Sequence, residues 1–295
     1  MRPGKPRDNR LPNVAPAPRG ELHPPDEPRG GLHLPDEPGA GRRARTNHLL
    51  ALGRALVLLA ASAGLFAAYR ARVAFLAETE RRRIVPWWMQ CWARVLCRVL
   101  GYRVTQRGSL PRLGSLVVPN HISYADVFPL MACHPCFFVP KAEVARWLFV
   151  GMLVRGTQMI FATRRLGTRD LIGTAAAIEE RLRGASPVCV FLEGTTTSGD
   201  RILPFRTAFV QPAVDCGAPI VPVAVRWRAT RPGTSVVEDV AFWKDHVFFP
   251  HFWRHMGLGG FEVEIIFGAP VPSANQDRKV LAAQVRDKLL ELWRR

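Results

Sequence analysis

The chain has 295 residues, 48% of them hydrophobic, enough to bury the core of one large domain or two small ones, and a disordered or collagen-like chain is excluded. Forty-one Lys and Arg against 24 Asp and Glu leave a formal charge of +17, so an anionic partner is expected: nucleic acid, an acidic lipid surface or a phosphorylated substrate. The excess is concentrated, because eleven arginines face only Glu78 and Glu80 between residues 47 and 112. That is also the greasiest stretch, which favours a membrane surface. No nucleic-acid recognition motif is present. The six cysteines are too scattered for a disulfide scaffold, and Cys133-His-Pro-Cys136 is a single C-x-x-C without a second pair.

Residues 1–46 are rich in Pro, Gly and Arg and carry a near-repeat, GELHPPDEP followed by GGLHLPDEP. With no apolar periodicity to bury, this segment reads as a disordered tail. Residues 47–72 read as a membrane anchor helix. Residues 55–69 are uncharged, and residues 49–52 extend the run across Gly53 and Arg54. A span needs about 20 apolar residues, so Arg54 would have to snorkel. A buried or interfacial helix is the alternative. The arginines after it (Arg70, Arg72 and residues 81–83) outnumber those before it, which places the rest of the chain at the cytoplasmic face of the inner or plasma membrane. Residues 84–104 put Trp92, Val95, Leu96, Val99 and Leu100 on one helical face, interleaved with Arg94, Arg98 and Arg103. An amphipathic interfacial helix and a helix packed on a catalytic domain both fit.

Residues 105–295 change texture. Short apolar runs at 116–119, 137–140, 159–162, 188–192, 220–225 and 261–267 read as strands. Helices are expected after residue 140 through Leu153, at 170–183, and after Ser273, where Leu281, Val285, Leu289 and Leu292 recur. Such alternation predicts an α/β domain, a mostly parallel sheet flanked by helices.

Two clusters carry chemistry. Asn120-His121-Ile-Ser-Tyr-Ala-Asp126 follows a buried strand, so His121 can serve as general base and Asp126 can fold back to fix its tautomer. Ser123 and Asp126 also have capping-box spacing, and a helix starting near Ser123 would aim Asp126 at His121. No G-x-S-x-G elbow supplies a protein nucleophile, so the attacking hydroxyl would be the substrate's own. Phe191-Leu-Glu193-Gly194-Thr195-Thr-Thr-Ser-Gly199 follows another strand, and its backbone amides can hold a phosphate or oxyanion; an ordinary polar turn is equally compatible. It lacks the lysine of a P-loop. His251 and His255 sit at i, i+4 without the glutamate of H-E-x-x-H, and read as partly exposed helix residues in preference to a metal pair.

With Phe161-Ala-Thr-Arg164 and Val221-Pro222-Val223 between and after them, these blocks resemble the glycerolipid and lysophospholipid acyltransferase superfamily, over about 85–295. The continuation Leu203-Pro-Phe-Arg206 and Trp243-Lys-Asp resembles its lyso-ornithine lipid acyltransferase branch. The resemblance implies an O-acyltransferase moving a fatty acyl group from acyl-CoA or acyl carrier protein to the hydroxyl of a lysophospholipid such as 1-acyl-glycerol-3-phosphate. It implies His121 and Asp126 as the catalytic pair. Arg164, Glu193, Gly194 and Thr195 would form the acceptor site and Pro222 the acyl-donor side, with no metal and no resident cofactor. Lyso-ornithine lipid is the alternative acceptor, and a non-catalytic lipid-binding peripheral protein the alternative class. The chain departs from the family pattern at Leu192, where proline is usual, and at Thr196, where many members carry arginine. Arg165 competes with Arg164 for the arginine role.

Overall fold

The computed structural model describes residues 43–140, 160 and 168–295. Residues 1–42 of the expected tail, most of the strand at 159–162, the helix through Leu153, and Arg164 and Arg165 lie outside the described residues. In chain order the elements are α1 (His48–Val73), α2 (Glu78–Leu100), β1 (Tyr102–Arg107), β2 (Leu116–Pro119), α3 (Val127–Cys133), β3 (Phe137–Phe138), α4 (Thr168–Arg183), β4 (Val188–Cys189), α5 (Gln211–Cys216), β5 (Ile220–Ala229), α6 (Val236–Asp239), α7 (Phe248–Gly257), β6 (Phe261–Phe267) and α8 (Arg278–Arg294).

Among the described residues, six strands lie in the order β1-β6-β5-β2-β4-β3. Every pairing is parallel except β5 with β6, so the expected α/β sheet is present and mostly parallel. Side chains alternate across it. Val117, Val221, Val223, Val225, Trp227 and Val263 share a core with residues of α2, α3 and α7. Leu116, Val118 and Ile220 share another with Ile178, Val210 and Leu281, from the α4, α5 and α8 side. Because β2 and β4 are adjacent and parallel, their C-terminal ends open on the same edge. Loops that follow such ends are where α/β sheets place their ligands. The segments after β2 and β4 carry the two motif clusters.

The N-terminal helices differ from expectation in instructive ways. Asn47 caps α1 by accepting from the Leu50 amide at 3.0 Å. The helix then exposes Leu49, Leu52, Leu56, Val57 and Leu59 and buries only Ala51, Tyr69 and Val73. By length and composition it can cross a membrane. Arg54 does not point away from the protein: its guanidinium donates to the Met256 carbonyl at 2.9 Å and the Leu258 carbonyl at 2.6 Å. It thereby satisfies the orphan acceptors at the negative end of α7. The last residues of the expected tail are held as well, since Ala44 donates to the Gly233 carbonyl at 2.8 Å and Arg254 donates to Ala44 and Thr46. Charge-assisted bonds of this kind are worth about 1.5–3 kcal/mol. Arg54→Met, which keeps the stem and removes the donors, is therefore expected to lower Tm by several degrees while leaving vesicle association intact; thermal unfolding and co-sedimentation measure the two.

Helix α2 is packed on the catalytic domain. Its Gln90 and Arg94 donate to the carbonyls of Ala132 and Cys133 at the end of α3, and Trp92 donates to Ser62 of α1. Trp87 remains exposed. The helix stops at Leu100, short of the expected 104. Gly101 adopts φ 76°, a left-handed cap that closes the helix and that a side chain would oppose. Tyr102 then enters β1, a strand the sequence reading did not anticipate.

Candidate active site

The loop leaving β2 is tied to β5 at once. The Asn120 side chain donates to the Val225 carbonyl at 3.0 Å and accepts from the Val225 amide at 2.7 Å. It thereby takes a strand partner's place where the pairing of β2 with β5 ends. His121 follows, and a 3-10 turn over Tyr124–Asp126 opens with the expected capping box from Ser123. One carboxylate oxygen serves both purposes foreseen for it. Asp126 Oδ2 accepts from the amides of Ile122 at 2.8 Å and Ser123 at 2.9 Å, and from His121 Nδ1 at 2.9 Å. Asp126 is fully buried, whereas the His121 side chain keeps 17% exposure. A carboxylate fed by backbone amides is an acceptor, so Nδ1 carries the proton and Nε2 holds the free lone pair. Nε2 has no partner among the described residues.

Two further contacts fix the imidazole. Phe191, from the loop after β4, stacks on it with ring centroids 3.8 Å apart and an interplanar angle of 19°. Glu193 holds the backbone below, accepting from the His121 amide through Oε1 and the Leu203 amide through Oε2, both at 2.8 Å. The structure therefore brings Glu193 to His121, but with both oxygens turned inward onto backbone, not toward an acceptor. Burial pushes this carboxyl up to about 8, with the Asp126 charge adding to the rise and the two amides opposing it. The folded chain thus retains a proton that the unfolded chain releases near 4.5. This component of stability is complete below 4.5 and is lost as pH rises toward 8, with a slope of at most about 1.4 kcal/mol per pH unit. In Glu193→Gln the slope is expected to flatten in that window, as measured by denaturant unfolding at pH 5, 6.5 and 8.

The remaining residues of this cluster sort unevenly. The Gly194 amide is used inside the turn, donating to the Phe191 carbonyl at 3.1 Å. At φ 70°, an added Cβ would stand 2.2 Å from Arg206 Nε, so the exposed Arg206 guanidinium lies directly over this glycine. Thr195 is exposed. The Thr196 hydroxyl donates to the Phe242 carbonyl, while the Phe242 amide donates to the Ile122 carbonyl at 2.8 Å. Phe242 thus clasps both loops. Pro222 is buried within β5, opposite Val118, with its Cγ 3.0 Å from where a Gly268 Cβ would stand. Strand alternation puts its ring on the face opposite Val223 and Trp227.

Several residues here escaped the sequence reading. Trp227 on β5 donates its indole N–H to Asp126 Oδ1 at 2.7 Å. Tyr124, inside the first motif, bonds His251 Nδ1 at 2.8 Å. His251 and His255, expected to be partly exposed, are both buried. His255 donates from Nδ1 to the Asp239 carbonyl at 2.6 Å and accepts from the Tyr102 hydroxyl through Nε2. Burial pushes both imidazoles down to about 4, so they are neutral near pH 7. The only sequence signal was the tryptophan itself, since a buried indole N–H needs an acceptor.

A histidine bonded through Nδ1 to a buried carboxylate lies at the C-terminal edge of a mostly parallel sheet, where α/β folds place their ligands. Comparison with known proteins identifies the family. Residues 101–226 match the family model described as Acyltransferase. The chain is 33% identical to the lyso-ornithine lipid O-acyltransferase of Pseudomonas aeruginosa, over 82% of this chain and 92% of that one. It is 28% identical to the 1-acyl-sn-glycerol-3-phosphate acyltransferase of Neisseria gonorrhoeae, over 60% of this chain and 68% of that one. The crystal structure of the 1-acyl-sn-glycerophosphate acyltransferase PlsC from Thermotoga maritima has the same fold, with a TM-score of 0.62 at 21% identity, covering 84% of this chain and 97% of that one. The chain belongs to the acyltransferase family that contains these lysolipid enzymes. It is an enzyme, and the non-catalytic alternative is not retained.

Proposed function

We propose that this acyltransferase moves a fatty acyl group from acyl-CoA or acyl carrier protein to the hydroxyl of a lyso-ornithine-type lipid, with His121 as general base. The supporting observation is the Nδ1–Asp126 bond, which leaves Nε2 as the free basic nitrogen. Nε2 takes the hydroxyl proton as the oxygen attacks the thioester carbonyl. The thiolate then leaves with the proton from the imidazolium, and an ester and a thiol result. Asp126 stabilises the transient charge. Arg164 and Thr195 are assigned to the acceptor, Glu193 and Gly194 act by shaping the loop, and Pro222 acts through β5. The scheme needs no metal or resident cofactor. We assign the enzyme to the cytoplasmic face of a membrane, a reading supported by the outward leucines of α1 and the arginine-rich 47–112 region.

The choice of acceptor rests on Thr196. Where the family resemblance leads one to expect arginine, this chain has a hydroxyl already committed to the Phe242 carbonyl, so one cation that would meet a phosphomonoester is missing. A second reading, 1-acyl-glycerol-3-phosphate, is favoured by Arg206 over Gly194. The test is the ratio of kcat/KM for the two acceptors at fixed salt. The first reading expects the lyso-ornithine lipid to lead and Thr196→Arg to move the ratio toward the phosphate lipid. A wild-type preference for the phosphate lipid gives the second reading its place.

A further inference from the structure

We infer that Trp227 is a positioning residue for the reaction, fixing the plane of the Asp126 carboxylate and through it the aim of His121 Nε2. The inference rests on His121 acting as base. Three donors, the Ile122 and Ser123 amides and His121 Nδ1, meet on Asp126 Oδ2. A carboxylate held by one oxygen can still turn about its Cβ–Cγ bond, a broad and soft torsion. The Trp227 indole N–H, at 2.7 Å, is the only described donor to Oδ1. It converts a pivot into a two-point clamp.

The clamp is rigid because of where the indole sits. Trp227 lies in β5, paired with Val263 of β6, and is 7% exposed. Tyr102 of β1 packs edge-on against its ring, with centroids 5.0 Å apart and an angle of 89°. Tyr102 is in turn held by His255 of α7. Two residues earlier on the same strand, Val225 brackets Asn120. Thus β5 grips the catalytic loop at both ends of the Asn120–Asp126 segment, by backbone at one and by an indole at the other. A packing role alone asks for a large apolar ring; the short bond to a buried carboxylate asks for an N–H.

The experiment separates these roles. Trp227→Phe keeps an aromatic ring against Tyr102 and removes the donor. The expected result is a kcat lower by about tenfold to a hundredfold, the worth of one hydrogen bond to a charged group. KM for the acceptor stays within about twofold, because the residue touches no substrate. In an Asp126→Asn background the same substitution should add little, since the two act through one contact. Replacing Trp227 by benzothienylalanine, which keeps the shape and substitutes sulfur for N–H, should reproduce the loss even if Trp227→Phe fails to fold. Wild-type kcat in the benzothienylalanine enzyme, or losses that simply multiply with Asp126→Asn, would overturn the inference. His121→Ala distinguishes the two levels: if it stays active the base assignment itself is wrong, whereas an inactive His121→Ala beside a normal benzothienylalanine enzyme removes Trp227 alone.

Discussion

His121→Ala is expected to reduce acyl transfer by about 10²–10⁴-fold with little change in folding. The local structure explains why the two effects separate. The contacts that hold this position in the loop are made by its backbone, whose amide donates to Glu193 and whose carbonyl accepts from Thr197 at 3.2 Å. Alanine keeps both. What disappears is the imidazole, its stack on Phe191 and its bond to Asp126. The assay is product formation from a labelled acyl thioester, with thermal unfolding alongside. Turnover within a few-fold of wild type in a folded variant would remove His121 from the mechanism.

Asp126→Asn should cost both activity and stability. The carboxylate receives four N–H groups, three on Oδ2 and one on Oδ1. An asparagine has one carbonyl oxygen, so its NH2 must confront either the Trp227 indole or the three donors on the other side. A buried donor facing another donor costs about 1–3 kcal/mol. Orientation of the imidazole is lost at the same time, and kcat is expected to fall at least tenfold. Ser123→Ala is the control: it removes the hydroxyl that accepts from the Ala125 amide at 3.2 Å and leaves the His121–Asp126 bond in place. It should lower Tm and spare kcat. If Asp126→Asn behaves like Ser123→Ala, the carboxylate serves the turn and not the base.

What the sequence made legible was local. The His121–Asp126 pair, the capping box and the Glu193-Gly-Thr turn are each built within a few residues, and buried strands next to each motif reveal themselves as short apolar runs. The contacts that aim those groups join distant segments. Trp227 is 101 residues from Asp126, and His251 is 127 from Tyr124. No spacing rule encodes such pairs; they exist because β5 lies beside β2 and α7 packs below the turn. Glu193 shows the same limit from the other direction. The sequence resemblance assigned it to an acceptor site, but that its oxygens face inward onto backbone follows from the return of the chain to Leu203. Strand β1 was hidden because Tyr102, Val104 and the arginine between them continue the amphipathic pattern of α2; only Gly101 marks the break.

In the proposed reaction a lysolipid hydroxyl, activated by His121, attacks the acyl thioester directly. The most direct test of this step follows thiol release and ester formation together, with a labelled acyl thioester and a panel of lysolipids. Thiol and acylated lipid are expected in equal amounts, thiol release is expected to require the acceptor, and both should vanish in His121→Ala. Thiol release at the full rate without any acceptor, or ester formation that persists in His121→Ala, would contradict the proposed reaction.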